Sequence, residues 1–206
     1  MSDTPFAGLT IGVLALQGAF REHRQALERL GVQVREVRLP KHLEGLDGLI
    51  LPGGESTTMA KLMVAYGFDR ALPDAYAQGL PMWGTCAGAI LVAHEIAGNP
   101  EQPTLDLLPI TVARNDYGRQ VASFEIDLDV EGLDAPFRAV FIRAPRIVST
   151  APDVHVLARH AGDPVAVRHG HAFATVFHPE LSNDDALHAW FLRELVAHRP
   201  TLEASA

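Results

Sequence analysis

Pro81-Met82-Trp83-Gly84-Thr85-Cys86-Ala87-Gly88 reads as a short strand that turns sharply and enters a helix. The strand is the apolar run Pro81-Met82-Trp83, and Gly84 and Gly88 bracket Cys86 in the turn. From Ala87 to Ala97, the residues Ile90, Leu91, Ala93 and Ala97 suit a buried helix that Gly98 closes. A strand, a tight turn and an apolar helix in succession imply an α/β fold with a largely parallel sheet.

The chain on the N-terminal side of this stretch agrees. Leu9 to Leu16 reads as a buried strand, and Phe20, His23, Leu27 and Leu30 then recur at helical spacing before a stop at Gly31. Val32 to Val37 alternates as a second strand. Gly48-Leu49-Ile50-Leu51 is a third, ending at Pro52-Gly53-Gly54, and Thr57 to Tyr66 is helical. On the C-terminal side the character changes. Val121 to Val130 alternates as a strand with one wet face. Short strands are expected at Val140 to Ile142, Val154 to Ala158, Val165 to Arg168 and Ala172 to Phe177. Such a run is more typical of antiparallel pairing. Ser182 with Asp185 resembles a capping box. Leu187, Trp190, Phe191 and Leu195 then mark one face of a closing helix. With no internal repeat and no linker, residues 1–206 read as one domain, with 1–7 a short extension and 200–206 a tail.

Composition narrows the function classes. A chain of 206 residues with 48% hydrophobic and 20% charged residues can bury one substantial core. A net charge of -8 lacks the basic footprint of a nucleic-acid binder. A single cysteine rules out an intrachain disulfide, a four-cysteine zinc site and an iron–sulfur cluster. His169 and His171 flank Gly170 without convincing further ligands, so no metal and no cofactor is expected. No apolar run approaches the roughly 20 residues needed to span a bilayer. Met1-Ser2-Asp3-Thr4-Pro5 leads into no secretory pattern, so the expectation is a cytoplasmic protein with no membrane association.

The lone thiol is then either a small core residue or a nucleophile. At a strand–turn–helix elbow a nucleophile is exposed by the strained turn, and flanking glycines let the backbone pass close by. The helix N-terminus just after Cys86 adds positive potential that favours a thiolate. The alternative is a buried cysteine beside a tight turn. A thiolate needs a base, and the base needs an orienting group. His178 follows the strand Ala172 to Phe177, and Glu180 two residues on is placed to hold the imidazole. A histidine in a turn before a helix would look the same. Backbone N–H groups in the turn Pro52-Gly53-Gly54-Glu55-Ser56-Thr57-Thr58 can receive an oxyanion; a plain turn with a Ser/Thr helix cap fits that segment equally well. Arg114, Arg119, Arg143 and Arg146 are candidates to clamp a carboxylate, or are simply solvated.

Taken together, several blocks resemble the glutaminase subunits of pyridoxal 5'-phosphate synthase, which are class I glutamine amidotransferases. They are Leu16-Gln17-Gly18-Ala19 with Arg21-Glu22-His23, Leu51 to Met59, Gly84 to Gly88, Arg114-Asn115 with Gly118-Arg119-Gln120, Phe141-Ile142-Arg143-Ala144-Pro145 and Phe177-His178-Pro179-Glu180. They follow the family's order over essentially the whole chain. The resemblance implies a three-layer, flavodoxin-like α/β fold with a mixed, mostly parallel central sheet and flanking helices. It implies a triad of Cys86, His178 and Glu180 and an oxyanion hole from Gly53, Gly54 and the backbone at Ala87. Gly54, Glu55, Ser56, Arg114, Ile142 and Arg143 would line the L-glutamine site, and Gln17 would lie at the face that meets the synthase. The implied activity is hydrolysis of L-glutamine to L-glutamate and ammonia, with ammonia passed to a synthase subunit in a hetero-oligomeric complex. Activation on docking, with reorientation of the Gly53–Gly54 peptide, is also implied. Rival readings are the glutaminase of another amidotransferase such as that of histidine biosynthesis, a non-catalytic regulatory subunit, and a cysteine hydrolase or chaperone-like relative sharing the elbow.

Overall fold

The computed structural model describes residues 5–114 and 123–197. The first half runs β1 (Thr10–Leu14), α1 (Phe20–Arg29), β2 (Gln33–Val37), β3 (Gly48–Leu51), α2 (Ser56–Tyr66), α3 (Phe68–Ala77), β4 (Met82–Thr85) and α4 (Ala87–Val92). There follow β5 (Ala93–Ala97), β6 (Leu108–Ala113), β7 (Ser123–Leu128), β8 (Phe137–Ile142), β9 (Arg146–Thr150), β10 (His155–His160), β11 (Asp163–His169), β12 (Ala172–Thr175) and α5 (Ala186–Ala197).

The central sheet has the order β10-β11-β12-β4-β3-β1-β2. Neighbours from β12 to β2 pair in parallel, while β11 joins β12, and β10 joins β11, antiparallel. Every residue of β3, β4 and β12 is buried, as expected of strands covered on both faces. On one face Trp83 meets His23 of α1 and His188 and Phe191 of α5. On the other face α4 lies against the strands so closely that a Cβ on Gly88 would overlap the Leu51 carbonyl. Only glycine permits that approach. A three-stranded sheet β5-β6-β9 and the antiparallel pair β7-β8 complete the fold.

Two sequence expectations need correction, and one helix is not read from the sequence. The helix after Cys86 ends at Val92, and Ala93–Ala97 is a strand paired in parallel with β6. All six residues of α4 are buried, whereas His94 and Glu95 are exposed, so the chain leaves the helix where its polar residues need water. Ser182 does not cap α5; its hydroxyl lies 3.0 Å from both the Pro179 and Asp184 carbonyls, to either of which its one hydrogen can be donated. Asp184 Oδ1 accepts from Ala186 N instead, and Asp185 is held by Arg29 in a two-point ion pair. The helix α3 is absent from the sequence reading because Pro73 interrupts its pattern. Its buried residues, Phe68 and Leu72, are one turn apart, and Gly67 at φ 77° both ends α2 and starts it.

β7 carries the alternation read from sequence. Ser123, Glu125 and Asp127 are exposed, while Phe124 turns inward and stacks on Phe141 of β8 at 4.6 Å. β8 in turn is tied to the end of β12, since His178 N donates to Val140 O at 2.8 Å. Asn115, Gly118, Arg119, Gln120 and the start of the expected strand at Val121 lie outside the described residues.

Candidate active site

Two adjacent parallel strands bring the chemistry together. The register pairs Thr85 of β4 with Thr175 of β12, so Cys86 and the segment leading to His178 leave the same sheet edge side by side. Cys86 N donates to Thr175 O at 2.8 Å, fixing the turn. The turn is strained: Cys86 has φ 50° and ψ -106°, a region that costs a non-glycine residue about 1–3 kcal/mol. The thiol sits at the head of α4, where first-turn N–H groups, Ala87 among them, have no intrahelical acceptor. Sγ lies 4.0 Å from Ile142 O.

His178 Nδ1 donates to Glu180 Oε1 at 2.7 Å, leaving Nε2 for the thiol side. Pro179 and Glu180 form the start of a 3-10 turn, Pro179–Leu181, which folds the carboxylate back under the imidazole. Both His178 and Glu180 are buried. Burial acts most strongly on His178 and lowers its pKa, but the interactions with Cys86 and Glu180 together outweigh it and raise the imidazole to about 10. Burial also raises Glu180 most, yet His23 and His178 overcome it and hold the carboxyl below its usual range.

A cleft of about 440 Å³ opens beside the thiol. Gln17, Gly54, Glu55, Ser56, Cys86, Ala87, Ile90, Arg114, Ile142, Arg143, Pro145 and His178 line it. Arg143, like Cys86, holds a positive φ, here 43°. Gly53 is not part of the wall; it packs against His178 and Cys86 behind it. Its carbonyl accepts from Ala19 N at 3.0 Å, so across the trans peptide the Gly54 N–H points the opposite way. Gln17 Oε1 accepts from Glu55 N at 2.9 Å. The Glu55 carboxylate, not a Ser or Thr, caps α2, accepting from Thr57 N and from Thr58 N and Oγ1. The Thr58 hydrogen bonds are the largest cause lowering Glu55 to about 2. Arg114 donates to Gln102 Oε1 and Thr57 Oγ1 at 2.8 and 3.0 Å, which anchors its guanidinium at the head of α2.

Of the other arginines named from sequence, Arg146 pairs with Asp163 and does not line the cleft; Arg119 lies outside the described residues. His169 meets Asp153 at 3.0 Å, away from the cleft. Sequence reasoning missed what stands behind Glu180: His23, Thr85 and His188, all buried, with His23 Nε2 3.3 Å from Glu180 Oε2. The available signals were a histidine on the apolar face of α1 and its place in the Arg21-Glu22-His23 block.

A cysteine at a strained elbow, a His–Glu pair beside it and an open polar cleft would suit covalent catalysis of acyl transfer. The sequence model of the SNO glutamine amidotransferase family matches residues 13–197. The chain belongs to that family. It is 57% identical over 188 residues to pyridoxal 5'-phosphate synthase subunit PdxT of Deinococcus radiodurans, covering 89% of this chain and 96% of that one. It is 56% identical over 183 residues to the same subunit of Thermus thermophilus, covering 88% and 95%. A crystal structure of a glutamine amidotransferase superposes with a TM-score of 0.87 at 54% identity, covering 91% of this chain and 98% of the other. This glutamine amidotransferase therefore has the mixed, mostly parallel sheet and flanking helices of the class I fold.

Proposed function

We propose that the chain hydrolyses L-glutamine to L-glutamate and ammonia through a thioester on Cys86, and passes the ammonia to the synthase subunit of pyridoxal 5'-phosphate synthase. The observation that carries the reading is Cys86 at its strained elbow beside a His178 that Glu180 holds at 2.7 Å. The curated relatives at 56–57% identity, named as subunits of that synthase, support the partner.

In this mechanism the Cys86 thiolate attacks the side-chain amide carbon. Backbone N–H groups at the Gly53–Gly54 turn and Ala87 receive the oxyanion, at about 2.7–4 kcal/mol per donor. His178, favoured as the imidazolium by Cys86 and Glu180, gives its proton to the nitrogen as the C–N bond breaks. Ammonia leaves and a glutamyl thioester remains. The now neutral imidazole takes a proton from water, the hydroxide displaces the thiolate, and glutamate departs. Glu180 orients the ring and stabilises its charged form, as the acid does in the Ser-His-Asp template. Arg114 and Arg143 at the cleft wall suit the α-carboxylate of the substrate.

Docking of the synthase is expected to reorient the Gly53–Gly54 peptide, released from Ala19 N, with Gln17 taking part. Crystals of the free and docked protein with the same competent peptide geometry would refute that step. The function itself is tested by glutamate release from glutamine, with and without the cognate synthase, for the natural chain and Cys86→Ala. Strong partner-dependent release that vanishes in Cys86→Ala is the expected result. No release by the folded complex would overturn the reading.

A further inference from the structure

Outside the cleft, a buried chain of polar side chains continues from Glu180 into the sheet–helix interface. His23 Nε2 lies 3.3 Å from Glu180 Oε2 and 3.1 Å from Thr85 Oγ1. His23 Nδ1 lies 2.9 Å from His188 Nε2. Among the described residues, neither Glu180 Oε2 nor His188 Nδ1 has a partner with full hydrogen-bond geometry.

Chemistry fixes the protons along this chain. A carboxylate only accepts, so a bare Nε2 on His23 would set a lone pair against Glu180 Oε2. Nε2 therefore carries the hydrogen, which goes to Thr85 Oγ1 at 3.1 Å and faces Glu180 Oε2 at 3.3 Å as a close electrostatic neighbour. His23 Nδ1 is then bare and accepts from His188 Nε2–H. That leaves His188 Nδ1 as a bare acceptor at the nitrogen that has no partner; the opposite tautomer would strand a buried N–H there. We infer that His23 is a positioning residue for the Cys86–His178–Glu180 triad: it holds the second oxygen of Glu180 and, through Thr85, ties it to the strand end that carries Cys86. This rests on the triad proposed above.

The surroundings agree. Burial is the largest influence on both histidines and lowers their pKa, the direction the chain of donors requires. The charged and titratable groups facing them are Glu180, His178 and Glu22 around His23, and Arg29 near His188. Without the His23 N–H, the buried Glu180 takes up a proton more readily, and His178 loses the charge that orients it.

Two measurements test this. In the natural protein, long-range ¹H–¹⁵N NMR at neutral pH should show His23 and His188 each protonated at Nε2 and bare at Nδ1; a His23 protonated at Nδ1 would overturn the inference. In the complex with the cognate synthase, His23→Leu should lower kcat for glutamate release at least about tenfold with KM little changed. The acid limb of kcat/KM should move to higher pH, and His23→Gln, which restores an N–H near the Nε2 position, should recover much of both. A folded His23→Leu with unchanged kcat and acid limb would overturn it, as would equal losses in the Leu and Gln variants. Cys86→Ala run alongside separates the premises. Retained activity there defeats the triad itself, whereas a dead Cys86→Ala beside a normal His23→Leu defeats only the positioning role.

Discussion

Gly53 lies against the His178 ring with no room for a side chain: a Cβ there would overlap Cε1, stand 2.9 Å from Nδ1 and 3.3 Å from the Cys86 Cβ. The turn that follows β3 is thus packed directly on the proposed acid–base residue. Gly53→Ala should push the imidazole out of line and lower kcat by about 10²-fold, the cost of an ångström-scale misplacement. Overpacking should also destabilise the fold by about 1–3 kcal/mol. Steady-state glutamate release and a denaturant titration read the two effects, and a fully active variant would show that the ring has freedom the geometry denies.

Glu180→Gln keeps the size of the buried side chain but removes its charge. In the triad reading kcat should fall by about 10³–10⁴-fold while KM stays nearly constant, by analogy with the orienting acid of serine hydrolases. A loss of less than tenfold would assign Glu180 to structure rather than to the imidazole it touches.

Arg114 is held at the cleft wall by Gln102 and Thr57, with its other amino group 3.5 Å from Glu55 Oε1, and in the proposed function it is a candidate partner of the substrate carboxylate. Arg114→Ala should raise KM for glutamine about tenfold or more, with a smaller change in kcat, because it removes binding shared by substrate and transition state. An unchanged KM would place the carboxylate elsewhere, with Arg143 the next candidate.

His178 also predicts a pH dependence of stability. Its pKa is raised to about 10 in the folded chain against 6.5 in the ordinary state. Between those values the folded protein holds a proton that the unfolded chain has released. The stabilisation is therefore complete below about pH 6.5 and is lost as pH rises through about 10. Denaturation midpoints over this range should decline more steeply for the natural chain than for His178→Gln. Parallel curves would contradict the shift.

Much of this architecture is legible in the sequence because local signals and tertiary outcome coincide. Gly48–Leu51 is an unbroken apolar run bounded by turn residues, and it is a strand with those limits. Phe20, His23 and Leu27 share a helical face, and α1 spans them. Ala93–Ala97 failed because alanine, histidine and glutamate suit a helix locally, and only pairing with the distant β6 makes them a strand. α3 failed because a proline inside a helix looks like its end. Within the cleft, the glycine-rich and His-Pro-Glu blocks do come together, but their spacing alone leaves a plain turn and a turn histidine open, and their roles come only from the resemblance to the family. His23 could not be read this way. A histidine on an apolar face acquires meaning only once α1 is known to cross behind Glu180.

The pairing of β4 with β12 also bears on synthesis of the chain. Thr85 and Thr175 are neighbours in space but stand far apart in sequence. A nascent chain that has emerged only as far as β11 carries Cys86 without the strand that anchors its N–H and without His178. Synthesis must reach β12 and His178 before the two halves meet, so products terminated earlier would lack the proposed Cys86–His178 pair.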